Sequence, residues 1–568
     1  MYIQSNKKKG KNGTIYESYL LCRKYREDGK IKTEVLLNLS KLPKESIYAL
    51  KKSLKNDGSQ DVAINDIKII NSIDFGYFFV ILEVMKKLRI HETIEKTYKD
   101  NPNLVKLLIV GKIITRGSKL AIFNWIKRNK AIADLLNINI TNLKVDDLYS
   151  CLKDIYNIQD KIEKKWNLYH KATHKEIYLY DITSTYLEGE QNELAAFGYN
   201  RDKKKGKMQI TIGLITDNKG FPLKISVFAG NVPDHKTVKE QLSILKNDFA
   251  AEKIILVGDR GMRIKMNLED LSKEERNGID YISALTTDEI KNLLHHNIIQ
   301  LEMFDKDLCE IEKDGIRYIL SLNPDLKDKK SDTRNQLRGK FEFELAHIKQ
   351  SYQNRKNQNQ ENKRRKENGH KGKLVTEFDN KKLDSYKSRV LKILNKYKMS
   401  RFYYIEITQE KFNINFNVEE YQKAKSLDGK YIISTTVNKE KLKTNQVRQE
   451  YKGLQKVEHA FRDLKTDKIE IRPLYHRKEE QTRGHVLIAK FSYAIIWYLE
   501  QKIYPWLEKY NKINNTKLSF NDIADELNGI KLNEINFGNL FNKSKCTKLN
   551  ELQKEILAVL NVKLPKEF

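Results

Sequence analysis

The stretch Tyr451-Lys452-Gly453-Leu454-Gln455-Lys456-Val457-Glu458-His459-Ala460-Phe461-Arg462-Asp463-Leu464-Lys465 decides how the rest of the chain is read. At about 100° per residue, a seven-residue step falls roughly 20° short of two helical turns. Tyr451, Glu458 and Lys465 therefore line up along one face, and Leu454, Val457, Phe461 and Leu464 form an adjoining apolar stripe. Such a helix docks by its stripe and carries on its rim a carboxylate between a phenol and an ammonium. The carboxylate can hold Mg²⁺ while the cation and hydroxyl reach strand phosphates. An ordinary amphipathic helix with a solvated polar edge is the competing reading, and this segment alone does not decide between them.

Composition narrows the choice. At 568 residues the chain is long enough for several domains, each with its own core. Its 106 Lys+Arg outnumber 76 Asp+Glu, for a formal charge of +30. An excess of that size points to a polyanion partner, most simply nucleic acid, although an abundance of Lys, Asn and Ile is also what an AT-rich genome encodes. Cys22, Cys151, Cys309 and Cys546 form no C-x-x-C pair, which argues against a disulfide framework and a zinc knuckle. A reduced, cytoplasmic setting is expected. Lys7, Lys8 and Lys9 are not followed by the apolar run of a signal peptide. No apolar run reaches the roughly 18 residues of a membrane span, since Lys490 breaks the longest, His485 to Leu499.

Taken in order, residues 1–60 read as a small basic β-rich region, with a hairpin from Tyr16 to Cys22 and Lys32 to Leu39 across an Asp28-Gly29 turn. Residues 61–172 turn helical, through Phe78, Ile81, Leu82 and Met85 and then Leu104, Leu107, Leu108 and Ile113. Arg116-Gly117-Ser118-Lys119 reads as a helix stop followed by a Ser N-cap. This basic bundle is read as binding a DNA end, against a purely structural role. Over 173–285 the texture becomes mixed α/β. Ile177 to Tyr180 is a buried strand delivering Asp181, a hairpin spans Met208 to Phe228, a helix opens at Asp234-His235, and Ile254 to Val257 leads to Gly258-Asp259-Arg260-Gly261. That order matches a ribonuclease H-like core, whose third acid comes from a later helix.

Residues 286–440 form an insertion expected to be β-rich, with strand signals at Ile316 to Leu322, Phe402 to Thr408 and Tyr431 to Thr436. One helix carries Phe341, Leu345 and Ile348, and Gln353 to Lys373 holds no large apolar residue, so it is expected as a basic loop or exposed helix. The glutamate helix belongs to 441–510, the second part of the core. Residues 511–568 are expected to be helical, around Phe520 to Leu527 and Leu552 to Leu560.

With Asp181, Asp259 and Glu458 so placed, the chain resembles the DDE transposases of bacterial insertion sequences, nearest to insertion-sequence family four and its sixteen-thirty-four branch. The resemblance is carried by Asp181-Ile182-Thr183-Ser184, by Gly258-Asp259-Arg260-Gly261-Met262 and by the glutamate helix. The group's signature is tyrosine, two residues, arginine, three residues, glutamate, six residues, lysine. Tyr451, Glu458 and Lys465 stand in register, whereas the arginine place holds Leu454 and leaves Arg462, one turn beyond Glu458, as the nearest replacement. The resemblance implies a ribonuclease H-like catalytic core with a β-rich insertion. It also implies Mg²⁺-dependent cleavage and strand transfer at terminal inverted repeats, in a synaptic complex of two or more subunits.

The chemistry wants such residues. Two divalent ions about 4 Å apart activate an attacking oxygen and neutralise a leaving one, and hard oxygen ligands suit Mg²⁺, with Mn²⁺ expected to substitute. In this reading Asp181 bridges both ions, while Asp259 and Glu458 each complete one shell. Tyr451, Lys465 and Arg462 contact double-stranded DNA of transposon end and target. His235 and His459 are weighed as proton carriers and read as structural. Two other functions compete: a two-metal nuclease that cuts without joining, and a catalytically silent DNA-binding descendant of a transposase.

Overall fold

The computed structural model describes residues 1–9, 15–27, 29–54, 67–170, 176–189, 191–247, 249, 251–262, 264–306, 308–369, 380–466, 468–537 and 542–565. The chain divides into two compact units, Met1–Glu83 with Leu499–Phe568, and Val84–Tyr498.

In the first unit, β1 (Tyr2–Lys9), β2 (Ile15–Glu27) and β3 (Lys30–Asn38) form an antiparallel meander. The hairpin read from sequence is its β2–β3 half. Ile3, Leu39 and Ile47 make a small core beneath it, Ile47 coming from the helix Lys44–Ser53. Next comes β4 (Ile67–Asp74), whose partner strand lies far along the chain.

The second unit opens with helices. Pro102–Thr115 is buried from Leu104 through Ile113, so it forms the centre of the bundle. Arg116, at φ 54°, ends that helix, and the Ser118 side chain accepts from the Ala121 N–H at 3.2 Å to cap the next, Lys119–Arg128. Val145–Asn157 and Gln159–His170 complete this part. The bundle is tied to the sheet by a buried triad in which Glu163 pairs with Lys224 and with Lys490, both at 2.8 Å.

The sheet itself has eight strands. Five lie in sequence before the insertion or at its start: β5 (Ile177–Tyr186), β6 (Gln209–Asp217), β7 (Pro222–Ala229), β8 (Ile254–Gly258) and β9 (Ile279–Ala284). β5, β8 and β9 run parallel, while on the other side of β5 the strand β6 pairs antiparallel with β5 and β7 pairs antiparallel with β6. β6 and β8 are buried throughout, as branched apolar strands covered on both faces should be. The insertion extends the sheet with β10 (Cys309–Lys313) and β11 (Ile316–Leu322), adds a separate hairpin of β12 (Tyr403–Ile407) and β13 (Phe412–Phe416), and returns with β14 (Lys430–Thr435). The full order is β10-β11-β14-β9-β8-β5-β6-β7.

Where the sequence predicts a β-rich insertion, long helices occupy much of it. Pro324–Glu367 runs for 44 residues and Asn380–Lys396 for 17. Phe341, Ile348, Tyr352, Val390 and Leu394 pack between them in a core shared with the β12–β13 hairpin. No Pro or Gly interrupts residues 340–368, so the polar run from Gln353 continues the helix that Phe341 anchors. Gly369, at φ 79°, supplies the left-handed residue past its end; residues 370–373 of the polar run lie outside the described residues.

At the end of the chain the helices Phe520–Asn528 and Glu551–Val559 flank two strands that the sequence reading did not include, β15 (Lys531–Phe537) and β16 (Asn542–Cys546). β15 pairs antiparallel with both β16 and β4. Its alternation Leu532, Asn533, Glu534, Ile535, Asn536, Phe537 is short, and only the partner strand reveals it as a strand. Among the described residues, no helix is long and apolar enough to cross a membrane.

Candidate active site

Parallel register brings the first two acids together. Tyr180 of β5 stands opposite Gly258 of β8, so one residue further on Asp181 and Asp259 are level on strands about 4.8 Å apart. β5 does not stop at Asp181 as the sequence predicts. It continues through Ile182-Thr183-Ser184-Thr185-Tyr186, a stretch of β-branched and aromatic residues, paired along its length with β6. Asp181 is thus fixed by ladder hydrogen bonds on both sides in sequence, whereas Asp259 lies just past the end of β8 with its side chain 55% exposed. A Cβ at position 258 would come within 2.7 Å of Ile264 Cδ1, so glycine is what allows the chain to turn tightly against that side chain.

The third acid arrives on the helix Leu454–Lys465, whose buried face is Leu454, Val457, Ala460, Phe461, Asp463 and Leu464. Burying the four large apolar residues contributes about 6–12 kcal/mol before ordering costs, which holds the helix on the sheet. Glu458 is exposed on its rim. The single helix read from sequence is two: Thr444–Lys452 ends at Gly453, and Leu454–Lys465 starts there. Tyr451 therefore belongs to the preceding helix, yet its hydroxyl reaches Asp259 Oδ1 at 3.4 Å. Burial, and then the Asp259 carboxylate, push the Tyr451 phenol well above its ordinary range.

Asp181, Asp259 and Glu458 line one cleft of about 330 Å³ together with Tyr451, and a second opening beside it of about 290 Å³. Burial pushes Asp181 up to about 7, with the nearby Asp259 and Glu458 carboxylates adding to the shift, while the Ile182 backbone N–H and Arg201 work against it. A carboxyl that resists ionising beside two like charges is one that a bound cation would stabilise in its charged form. The donors are carboxylate oxygens without a thiolate, a set that suits a hard divalent ion.

The remaining predicted residues divide. Lys465 Nζ donates to Thr183 Oγ1 at 2.6 Å, to the Ser184 carbonyl at 2.5 Å and to Asp202 Oδ1 at 3.0 Å. All three ammonium protons are committed to protein, so here Lys465 ties the glutamate helix to β5. Arg472 reinforces the tie, donating to Asp202 Oδ1 at 2.5 Å and to the Lys465 carbonyl at 3.2 Å. Arg462 is exposed on the same helix as Glu458. Leu454, at the signature's arginine place, is buried and lines the larger cleft beside Leu285, Ile290 and Leu326. His459 pairs with Asp463 at 3.1 Å, and neither it nor His235 lines either opening.

Two residues at the site were not singled out from sequence. Arg201 donates to Asp234 Oδ2 at 2.6 Å, and both line the smaller opening with the three acids. Asp234 shows in sequence only as a first-turn acid, and Arg201 as one cation in a basic loop; nothing in their spacing marks them.

Known proteins can be set against this geometry. Residues 3–63 match the IS1634 family transposase N-terminal domain, and residues 172–495 match the transposase DDE domain. No curated protein matches the chain. Among solved structures, the cryo-EM structure of the piggyBac transposase synaptic complex with hairpin DNA covers 80% of this chain and 78% of that chain, at 9% identity and a TM-score of 0.32, a likeness too distant to decide anything. The DDE-domain match spans more than half of the 568 residues and contains every acid of the cleft, and the chain belongs to the DDE transposases, in the IS1634 family.

Proposed function

We propose that this transposase binds the terminal inverted repeats of its own insertion sequence, cleaves the DNA there and joins the freed 3′ end to target DNA. The observation that carries the proposal is the meeting of Asp181, Asp259 and Glu458 in one cleft from three distant parts of the chain. The strand order β7-β6-β5-β8-β9, with β6 antiparallel to its neighbours β5 and β7 and with β8 and β9 parallel to β5, supports a ribonuclease H-like core.

Membership of the DDE family brings divalent-metal dependence. We assign the metal as Mg²⁺, replaceable by Mn²⁺, held as two ions by Asp181, Asp259 and Glu458. When bound, such ions activate the attacking oxygen and neutralise the leaving 3′ oxygen. The chain's own residues do the rest. Asp181 is held rigidly in mid-strand, which fixes the origin of the site. The Tyr451 hydroxyl, already directed at Asp259, sits where it orients that carboxylate and meets the strand beside it. Arg462 and Arg201 present guanidinium groups to phosphate oxygens. Lys465, with Asp202 and Arg472, acts as a positioning residue that keeps Glu458 in reach. Water attacks first and frees a 3′-OH, which then attacks a target phosphodiester, so no covalent enzyme intermediate is needed. Two or more subunits hold the paired ends.

The test uses Asp181→Asn, Asp259→Asn and Glu458→Gln. Each is expected to abolish Mg²⁺-dependent nicking of an end-containing duplex while duplex binding persists. A labelled, pre-cleaved end with a free 3′-OH should join to plasmid in the wild type. Near-normal nicking by any variant removes that residue from the site, and nicking without joining makes the protein a nuclease.

A further inference from the structure

Five lysines are buried among the described residues, and three of them have carboxylate partners. Lys106 meets Glu95 at 2.6 Å, and Lys224 and Lys490 both meet Glu163 at 2.8 Å. Lys112 and Lys119, 4% and 5% exposed, have none. Lys112 Nζ donates to the carbonyl oxygens of Glu470 at 3.1 Å, Gly117 at 3.2 Å and Arg116 at 3.4 Å. Lys119 Nζ lies 2.6 Å from His485 Nδ1 and 3.0 Å from His476 Nε2. As an ammonium, Lys119 donates to both ring nitrogens, and His485 turns its other nitrogen to the Ile471 carbonyl at 3.3 Å. Burial, and then the neighbouring Lys119, push His476 down to about 2 and hold His485 far below its ordinary range. The rings therefore add no charge and no counter-charge.

These groups line a pocket of about 250 Å³ that opens to solvent past Ser118 and Tyr475. Arg116 stands at its wall, and the helix that begins at Lys119 adds its positive end. One acid lines it, Glu470, which is exposed and whose charge works against burial to keep Lys112 protonated. Arg472, also in the wall, is already spent on Asp202. Burial without a counter-ion pushes Lys112 down to about 8 and, with Lys112 beside it, holds Lys119 well below its ordinary range, so the charge of this concave basic site is completed when an anion arrives. None of its lining residues is shared with the cleft of the acids. The wall is nevertheless continuous with the glutamate helix, since the Ile471 N–H donates to the Leu464 carbonyl at 2.8 Å.

We propose that this pocket is a DNA-phosphate site, in which Lys119 and Arg116 hold one backbone phosphate of a bound duplex while Lys112, tied to three carbonyls, adds charge behind them. The assignment rests on the reading that the chain acts on DNA, and names where the helical part of the second unit grips it. A chain of formal charge +30 has no shortage of surface cations for loose binding; what this pocket adds is a fixed, desolvated contact that sets register.

The experiment measures binding of fluorescein-labelled duplex DNA by full-length protein in EDTA across a salt series. The variants are Lys119→Met, which keeps the side chain's length, and Arg116→Gln at the half-buried wall. Each should weaken binding and lower the slope of log affinity against log salt by about 0.9, the loss of one phosphate contact. Neutral methylphosphonate substitutions, walked along the duplex, should weaken the wild type at one position and cost the folded Lys119→Met variant nothing there. Folded variants with the wild-type slope overturn the proposal. So does Lys119-dependent stabilisation by inorganic phosphate without any change in the DNA slope, which would make the pocket a free-anion site. A wild type that binds no duplex at all sinks the DNA reading itself.

Discussion

Lowering the pH from 8 to 6 should weaken divalent-metal binding about tenfold. Burial and two neighbouring carboxylates hold the Asp181 carboxyl at about 7 in the metal-free protein, so protons and metal compete for it across this window. At pH 8 about nine-tenths of the molecules carry Asp181 ionised and at pH 6 about one-tenth, whereas a carboxyl at the usual value of about 3.9 would be ionised at both. Titration with Mn²⁺ in two buffers of different ionisation enthalpy reads both the affinity and the protons released, about 0.9 per protein at pH 6 and about 0.1 at pH 8 from this group. The same shift has a signed effect on stability. Asp181 is neutral in both folded and unfolded chains below about pH 4; above that the unfolded chain ionises first, so the metal-free fold loses stability as pH rises through about 7. A shift of about three pH units corresponds to at most about 4 kcal/mol, less to the extent that solvent reaches the half-buried carboxylate. Asp181→Asn should therefore be more stable than wild type in EDTA at pH 8 and no more stable at pH 4. Metal affinity that is flat between pH 6 and 8 would refute the electrostatic account of the cleft.

Other perturbations follow from particular contacts. Lys465→Met removes three hydrogen bonds and leaves Asp202 with Arg472 alone; a cost of about 2–4 kcal/mol in denaturant unfolding is expected, with nicking falling further than duplex affinity. If affinity falls instead with nicking intact, Lys465 is a DNA contact and not a tie. Gly258→Ala should cost about 1–3 kcal/mol by crowding Ile264 Cδ1, and Ile264→Val, which removes that methyl, should recover part of it in the double variant. Glu163→Gln leaves Lys224 and Lys490 facing each other without their shared carboxylate; about 3–5 kcal/mol should be lost, read as a lowered Tm. An unchanged Tm would show that water already solvates the triad.

Much of the fold that carries the candidate site was legible because its signals are local. The Leu454, Val457, Phe461 and Leu464 stripe is a helical period, and it is the buried face. Ile254 to Val257 reads as a doubly covered strand and is one. Ser118 caps as its position after Arg116-Gly117 predicts. What escaped depends on partners far away in the chain. A seven-residue count across Gly453 cannot tell a continuous helix from two joined ones, because glycine tolerates either. Lys465 has the spacing of a solvent-facing cation, and only the fold brings Thr183, Ser184 and Asp202 to it. Arg201 and Asp234 meet across 33 positions. The insertion's strand signals are real, but the helix running from Pro324 is stabilised by a core assembled with Asn380–Lys396 and the β12–β13 hairpin, which no single window displays.

The pairing of β4 with β15 bears on synthesis. Asp74 and Lys531, an ion pair across that ladder, are 457 positions apart. At about 5–20 residues per second, a ribosome takes on the order of half a minute to a minute and a half between the two. Until then β4 lacks the strand it pairs with. The unit made from both ends therefore closes only after every strand of the eight-stranded sheet has been synthesised.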